Sequence, residues 1–170
     1  MKVTGAWSQA ETAAFLDATR VPVRLACHTP SGHLWMLSLW YLWVDGDGND
    51  APEADAPTDA IPELRCATSA QAEVVSYLRN DPEVAFEVST NDLPYRGVRG
   101  RGTAVIEPDD DKTLLRTLFD RYLGGTDNDL ADFLLAPDRE EVRIRIAPER
   151  LHSWDFSERM ADVSLATNDE

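Results

Sequence analysis

A length of 170 residues predicts a single domain, and a hydrophobic content of 43% is sufficient for a buried core. No run of eighteen apolar residues occurs, and the first residues lack the apolar segment of a signal peptide, so we expect a cytoplasmic protein with no membrane partner. The formal charge of −15 at pH 7 disfavours nucleic acid as a partner, because nucleic acid binds basic surfaces.

Arginine dominates the basic residues, since Lys2 and Lys112 are the only lysines in the sequence. Self-repulsion at this net charge destabilises a compact chain at low salt, and added salt screens the repulsion. The composition fits two origins: a halophilic host, or a GC-rich genome in which arginine codons replace lysine codons. Cys27 and Cys66 are too few for a disulfide framework, and we expect both to be buried thiols.

The first part of the chain predicts one helix and two strands. The helix covers residues 8–18 and begins with the capping box of Ser8 and Glu11. A strand at 21–29 and a turn at 30–32 follow. Residues 33–44 then form a long strand with two apolar faces. One face carries Leu34, Met36, Ser38, Trp40 and Leu42, and the other carries Trp35, Leu37, Leu39, Tyr41 and Trp43.

A strand that is apolar on both faces is expected to be covered on both sides. Three explanations stay open: a barrel wall that also forms a subunit interface, a shelf for a cofactor, and an aromatic core. This strand carries more aromatic surface than one small barrel can enclose, in the side chains of Trp35, Trp40, Tyr41 and Trp43. Apolar surface left on a monomer usually marks an interface. We therefore expect a homodimer.

Residues 64–89 predict a strand, a helix and a second strand. Ser69 is the expected N-cap of the helix, and Pro82 ends it. The free N–H groups at Thr68 and Ser69 suit an anion, although a serine in this position commonly serves as a cap alone. The apolar positions are Leu64 and Cys66 in the first strand, Val74, Val75 and Leu78 in the helix, and Val84, Phe86 and Val88 in the second strand.

Residues 95–107 predict a strand on which Arg99 and Arg101 share one face. Gly97, Gly100 and Gly102 allow a bulge or the close approach of another backbone. The two arginines either pair with neighbouring acids or contact a ligand phosphate.

The remaining sequence predicts two helices and a final strand. Residues 108–111 cap a helix that runs to about Leu123 and is stopped by Gly124, and a shorter helix covers 127–135. A strand at 141–147 points Val142, Ile144 and Ile146 inward, an extended segment covers 149–156, and 157–170 is an acidic, frayed tail. Six strands in short hairpins with flanking helices indicate one α+β domain, residues 1–156, around a small β-barrel.

No motif indicates a catalytic nucleophile or a metal site. Nucleophile elbows, P-loops and zinc-protease motifs are absent from the sequence. His28, His33 and His152 lack metal-ligand spacing and are expected to be structural or surface residues. The acidic stretch at 45–62, predicted as a solvated loop between hairpin strands, contains DGDGND but lacks the flanking helices and closing glutamate of a calcium loop.

The order of four segments resembles the pyridoxamine 5′-phosphate oxidase-like, FMN-binding split-barrel superfamily. The segments are VPVRLACHTPSGHLWMLSLWYLW, CATSAQAEVVSYLRNDPEVAFEV, YRGVRGRGTAVI and VRIRIAPERLHSWDF, which together span 21–156. The resemblance implies a six-stranded split β-barrel with Greek-key topology, and a homodimer with two cofactor sites in the subunit interface. Members bind FMN, a deazaflavin or heme, and many are redox enzymes.

Individual positions match the superfamily only in part. Its helix-opening motif resembles T-x-x-x-S-R-K, whose basic pair binds the FMN phosphate. Thr68 and Ser69 fit the start of this motif, whereas Glu73 and Val74 stand in place of the basic pair. A phosphate facing the Glu73 carboxylate would be repelled.

The preceding strand departs from the pattern as well. Leu37 and Leu42 stand where the oxidases of vitamin B6 metabolism carry basic residues, so that activity is not expected. Arg99 and Arg101 remain as candidates to supply the phosphate charge from another strand.

Two functions are compatible with the sequence. In the first, FMN or a deazaflavin binds at a homodimer interface, and the protein is a reductase or oxidase of a small organic molecule. In the second, the fold has lost its flavin phosphate site and serves as a non-enzymatic ligand-binding, stress or regulatory dimer. The expected cofactor-binding residues under the first function are Ser38, Trp40, Thr68, Ser69, Arg99, Arg101 and Trp154.

Trp154 carries two alternatives of its own. In the superfamily the final strand reaches across the dimer toward the cofactor, and an indole often bridges a buried site and a ligand. The other possibility is that Trp154 only fills the end of the barrel.

Overall fold

The computed structural model describes residues 1–44 and 62–164. Strands and helices are mixed along the chain, as in other α+β domains. The elements in chain order are β1 (Lys2–Gly5), α1 (Gln9–Ala18), β2 (Val23–His28), β3 (Leu34–Leu39), β4 (Tyr41–Val44), β5 (Glu63–Ser69), α2 (Glu73–Asn80), β6 (Glu83–Ser89), β7 (Arg96–Pro108), α3 (Thr113–Leu123), α4 (Asp129–Leu134) and β8 (Glu141–Asp155).

The strands form one curled sheet in the order β3-β2-β6-β7-β8-β5-β4, and β1 pairs in parallel with β8. β3 and β4 lie at opposite ends of this order, yet Trp40 alone separates them in the chain. The two ends of the sheet therefore meet, and β3 and β4 together act as one interrupted strand of a six-stranded barrel. The predicted split-barrel architecture is confirmed.

Alternating apolar side chains fill the barrel. The inward positions predicted in β5, β6 and β8 are buried, and Leu64, Val88 and Ile144 are fully enclosed. Helix α2 adds its predicted apolar face, and helix α1 adds Leu16. Cys27 and Cys66 are buried free thiols, and burial raises the pKa of the Cys66 thiol to about 12.

The predicted N-cap is correct for helix α1 and wrong for helix α2. Helix α1 has the expected capping box, in which Ser8 Oγ accepts from the Glu11 N–H at 3.3 Å and the Ser8 N–H donates to the Glu11 carboxylate at 2.8 Å. The prediction of Ser69 as the N-cap of α2 is wrong, because Ser69 pairs with Glu141 as the last residue of β5. The N-cap is Ala72, which makes no side-chain capping bond.

Helix α3 is capped from within residues 108–111, as predicted. It starts at Thr113, and the buried Asp109 satisfies its first turn from outside. The Asp109 carboxylate accepts from the N–H groups of Leu114 and Leu115 at 3.4 and 3.3 Å and from Arg143 Nη2 at 2.8 Å. The predicted stop at Gly124 is confirmed by its left-handed backbone, with φ of 76°.

The predicted bulge lies between Arg101 and Gly102, where the pairing of β7 with β8 shifts register. A Cβ at Gly102 would lie 2.2 Å from the Ala147 carbonyl oxygen, so no larger residue fits there without moving the backbone. The predicted strand at 141–147 and the extended segment after it form the single strand β8.

Strand β3 keeps the predicted alternation but is not covered within one protomer. Leu34 and Met36 on its outer side are 78% and 67% exposed, and Trp35 is 44% exposed. In β4, by contrast, Tyr41 and Trp43 are buried in the barrel. The apolar surface is thus concentrated on β3.

Two predicted segments fall largely outside the described residues. The acidic stretch at 45–62, with the calcium-like DGDGND, is described only at residue 62, although its flanking strands β4 and β5 form the expected antiparallel pair. The tail at 157–170 is described to residue 164, and that part contains turns without a helix or strand. Across the described parts of the chain, no helix is long and apolar enough to span a bilayer.

Candidate functional site

A cavity of about 380 Å³ opens beside the junction of β3 and β4. The end of β5 forms one wall, and helices α3 and α4 cover the apolar side. Most of its lining is apolar, with a few polar groups at one side, which is the usual composition of a small-molecule site. The polar and aromatic lining residues are Ser38, Trp40, Thr68, Ser69, Arg139 and Glu141.

The aromatic wall of this cavity is Trp40, and its orientation is fixed. The Trp40 ring stacks on Tyr122 at 5.1 Å with an interplanar angle of 9°, and Phe119 contacts it edge-on at 5.5 Å. The strand break at Trp40 leaves the Tyr41 N–H to donate to the Tyr122 hydroxyl at 3.2 Å. Burial raises the pKa of Tyr122, so its hydroxyl stays protonated at neutral pH.

Three hydroxyls lie along the polar side of the cavity. Ser38 comes from β3, and Thr68 and Ser69 come from the end of β5. The Ser69 hydroxyl accepts from the Gln71 N–H at 3.3 Å and so holds the turn into α2. Within 1–44 and 62–164, the hydroxyls of Ser38 and Thr68 have no hydrogen-bond partner, which leaves both available to a ligand.

One cation reaches the cavity from a segment that the sequence argument did not single out. Arg139 lies in the connection before β8, and its guanidinium is held by the buried Glu141 carboxylate, with Nε and Nη2 both 3.2 Å from Oε1. The guanidinium also lies over the Phe133 ring at 4.7 Å. The Ala70 N–H donates to the Glu140 carbonyl at 2.9 Å, which ties this connection to the turn after Ser69.

Glu73 and Val74 lie away from the cavity lining. Glu73 is exposed at the first position of α2, and Val74 is only 3% exposed because it packs in the core. Glu73 does not line this cavity, so the expected repulsion between its carboxylate and a phosphate held by Thr68 and Ser69 does not arise from a lining residue. A lysine at position 74 would bury a charge, so restoring the superfamily's basic pair there would disrupt the core.

Arg99 and Arg101 line a different hollow, of about 580 Å³, on the outer face of the sheet. Its floor is formed by Ala26, Ala85 and Gly100, and its basic side also includes Arg24 and Arg150. Arg101 lies 3.7 Å from the Glu149 carboxylate in an exposed ion pair.

Trp154 belongs to the same region. It pairs with Gly97, and a Cβ on that glycine would lie 2.7 Å from the indole ring, so the glycine is needed for the ring to lie flat on the sheet. The Arg99 guanidinium lies over this ring, 5.5 Å from its centroid.

The register separates the two groups of expected site residues within one protomer. Ser38 pairs with Arg24, Arg24 with Glu87, and Glu87 with Arg99. Three strand spacings amount to roughly 14 Å. The structure therefore brings together Ser38, Trp40, Thr68 and Ser69, and it places Arg99, Arg101 and Trp154 elsewhere on the same protomer.

No metal site competes with this description. In the residues that the structure describes, no group of three or more histidine, cysteine, aspartate or glutamate side chains is placed to hold an ion.

No family model matches the sequence, and no curated protein matches it. Solved structures do. The conserved hypothetical protein Rv2991 from Mycobacterium tuberculosis aligns with a TM-score of 0.70 and 25% identity, over 97% of this chain and 96% of that one. A protein named F420 reductase aligns with a TM-score of 0.63 and 22% identity, over 86% and 98%. A putative pyridoxamine 5′-phosphate oxidase from Listeria innocua aligns with a TM-score of 0.55 and 14% identity, over 85% and 95%.

The chain has the split-barrel fold of the pyridoxamine 5′-phosphate oxidase-like proteins. The resemblance expected from the four sequence segments is thus confirmed at the level of fold. Proteins of this fold include the one named F420 reductase and one from Mesorhizobium loti named a FAD-binding protein.

Arg139 and Tyr122 were missed by the sequence argument. Arg139 stands in a short irregular connection with no periodic pattern, and only the pairing of β5 with β8 brings it to Ser69. Tyr122 recurs at helical spacing with the leucines of 114–118, a pattern that predicts an apolar helix face and gives no reason to expect a hydrogen bond to a strand break. Neither residue carries a local signal that sequence reading detects.

Proposed function

We propose that the cavity beside Trp40 binds a flavin-type cofactor, FMN or a deazaflavin, and that the protein is an oxidoreductase of a small organic molecule. The observation that carries the proposal is the convergence of three hydroxyls, an immobilised indole and the Arg139 cation on a mostly apolar cavity. Such a set suits a ligand with a planar ring system and a polyhydroxylated, anionic chain.

The residues present fit a cofactor of this kind. A volume of about 380 Å³ lies within the range of about 300–1,000 Å³ that is usual for small-molecule sites. Ser38 and Thr68 offer hydroxyls that have no partner among the described residues, and Arg139 offers a cation at the polar side. The leucines of α3 and α4 keep that side of the cavity dry.

A bound flavin or deazaflavin supplies the redox chemistry, because these cofactors carry electrons that side chains do not. The chain's own residues bind and orient. Trp40 presents a flat wall whose angle is fixed by Tyr122 and Phe119. The cavity hydroxyls of Ser38 and Thr68 donate to or accept from polar groups of the ligand, and the apolar lining excludes water.

The proposal includes a homodimer. Arg99, Arg101 and Trp154 remain candidate cofactor-binding residues only if a second copy carries them to the cavity, since about 14 Å separates Arg99 from Ser38 within one protomer. β3 exposes the apolar side chains of Leu34, Trp35 and Met36, and Ser38 of the same strand lines the cavity. This apolar surface supports an interface beside the cavity.

The visible spectrum of purified protein, followed by fluorescence titration with FMN and with a deazaflavin, tests this function. We expect bound cofactor or saturable binding of at least one of the two. A colourless protein that binds neither would refute the proposal. Ser38→Ala with Thr68→Val should weaken binding, and Thr117→Val, at a half-buried position of α3 that does not line the cavity, should leave binding unchanged.

A non-enzymatic accessory role is the second candidate. One observation favours it: the first turn of α2 carries Glu73 and no basic residue, in contrast to the superfamily's phosphate motif. This role assumes that the flavin site is lost, so tight binding of a flavin in the titration would exclude it.

A further inference from the structure

We infer that Arg139 is the phosphate-binding cation of this protein, replacing the basic pair that α2 lacks. The inference rests on the proposed flavin-type function and adds a specificity-determining residue to it. Its ligand group is a phosphate monoester or diester at the polar side of the Trp40 cavity.

The first argument is position. Arg139 and Ser69 line the same cavity, and the hydrogen bond from Ala70 N–H to Glu140 keeps their two segments together. Of the cavity-lining residues in the described chain, Arg139 is the only cation. An anion beside the Ser69 hydroxyl therefore has one positively charged neighbour in its own protomer.

The second argument is geometry. Glu141 engages the Nε and Nη2 side of the guanidinium through a single oxygen, and the Phe133 ring packs against its plane. Arginine has five N–H donors in a rigid fork, so this arrangement fixes the group while leaving the Nη1 donors unused among the described residues. The Arg139 side chain is 26% exposed, compared with 3% for Glu141, so a ligand meets the guanidinium first.

The charge of Glu141 allows a prediction of how phosphate binding changes when that charge is removed. Glu141 is the one carboxylate in the cavity lining, and it both orients Arg139 and opposes an anion. Removing its charge while keeping its shape is therefore expected to strengthen phosphate binding, whereas removing the Arg139 charge weakens it. A purely structural ion pair would show no such opposite effects.

The test compares two ligands that differ only in the phosphate, FMN and riboflavin, by fluorescence titration. In Arg139→Gln we expect FMN affinity to fall about 10- to 100-fold, as for a lost charge-assisted hydrogen bond, and riboflavin affinity to change less than about threefold. Arg139→Lys should retain part of the FMN preference, and Glu141→Gln should raise FMN affinity. If the ligand is a deazaflavin, the same comparison uses the deazaflavin coenzyme, which carries phosphate, and its phosphate-free form.

Arg65→Gln is the matched control, because Arg65 makes a similar ion pair with a buried glutamate, Glu63, outside the cavity. It should change neither affinity. The double variant Arg139→Gln with Glu141→Gln removes the unpaired buried carboxylate and keeps the experiment valid if Arg139→Gln unfolds.

The failure of this inference differs from that of the proposed function. Wild-type protein that binds neither ligand refutes the flavin-type function, and the inference with it. Wild-type protein that binds both, with Arg139→Gln weakening them equally or not at all, overturns the role of Arg139 alone.

Discussion

At the scale of single residues, Trp154 is the expected site residue whose role depends most on its surroundings. Its indole is half-buried, lies flat on Gly97 and is covered by the Arg99 guanidinium. Within one protomer, these contacts are those of a side chain that only packs against its neighbours. They also leave it facing the direction from which a second copy would approach the outer face of the sheet.

Trp154→Phe distinguishes these two roles, because it keeps most of the packing and removes the indole N–H. If Trp154 contacts cofactor across a dimer, flavin affinity should fall about tenfold, the effect of one hydrogen bond of about 1.4 kcal/mol, with little change in Tm. Titration and thermal unfolding measure the two quantities. Trp7→Phe, which removes an N–H bonded to Asp155 at 3.3 Å, is the control. Unchanged affinity with a lowered Tm would make Trp154 a packing residue.

The resemblance to the split-barrel superfamily led to four of the residues that line the cavity but not to their neighbours. Ser38, Trp40, Thr68 and Ser69 were expected near a ligand, and they do line one cavity. Arg139 joins them only through strand pairing between distant parts of the chain, which no local pattern encodes. The expected contribution of Arg99 has no support within one protomer, because the same pairing places it on another part of the sheet.

At the scale of elements, the C-terminus of α1 depends on a residue of α3. The last turn of α1 contains no basic residue, and its free carbonyls are instead capped by Arg121. Arg121 Nη2 donates to the carbonyls of Leu16, Asp17 and Thr19 at 3.1, 2.6 and 2.9 Å. The guanidinium also lies over Tyr122, the residue that supports Trp40, so this contact joins α1 to the wall of the cavity.

We expect Arg121→Ala to lower the free energy of unfolding by about 2–3 kcal/mol, because it removes a charged donor that three carbonyls share and leaves them, among the described residues, only the donors of Tyr41 and Arg20. Urea unfolding measures this value. Arg116→Ala, an exposed change on the same helix, should stay within about 0.5 kcal/mol of wild type. Equal stabilities for the two variants would show that α1 does not need this cap.

Elements were predicted well where periodicity is strong and poorly where two local rules compete. The alternation in β6 and β8 and the apolar face of α2 were read correctly, because burial on one side imposes them. Ser69 was assigned to a helix cap on local chemistry, yet pairing with Glu141 holds it in β5. The cap of α3 within 108–111 was predicted correctly, because the Asp109 carboxylate accepts from N–H groups of the first turn.

At the scale of the whole molecule, β3 leaves an apolar surface that a stable monomer would not be expected to expose. We predict a two-fold dimer that buries well over about 2,000 Å² in total, as in obligate interfaces. Sedimentation equilibrium at micromolar concentration in high salt should return the dimer mass for wild type. The double change Leu34→Asp and Met36→Asp should return the monomer mass.

The matched change is Leu123→Asp on α3, since Leu123 is 51% exposed and lies outside β3. It should leave the dimer intact. A wild-type monomer under these conditions would contradict the predicted assembly and, with it, any role for Arg99 and Trp154 at the cavity.

The net charge of −15 leads to a second prediction at this scale. Raising KCl from about 0.1 M to about 1 M shortens the Debye length from about 10 Å to about 3 Å, which screens repulsion between acidic side chains. We expect Tm to rise over this range, as for a protein adapted to salt. A Tm that falls instead would favour a GC-rich genome as the origin of the arginine bias.

The pairing of β1 with β8 has a consequence for how the protein is made. Lys2–Gly5 align with Arg150–Ser153, so β1 has its partner in a strand that is synthesised much later. β8 also joins β7 to β5, which means that the barrel closes only after β8 has been synthesised. Contacts this distant in sequence slow folding to the range of milliseconds to seconds typical of β-rich domains. During translation, the nascent chain must therefore keep the apolar side chains of β2 to β7 from aggregating until the final strand arrives.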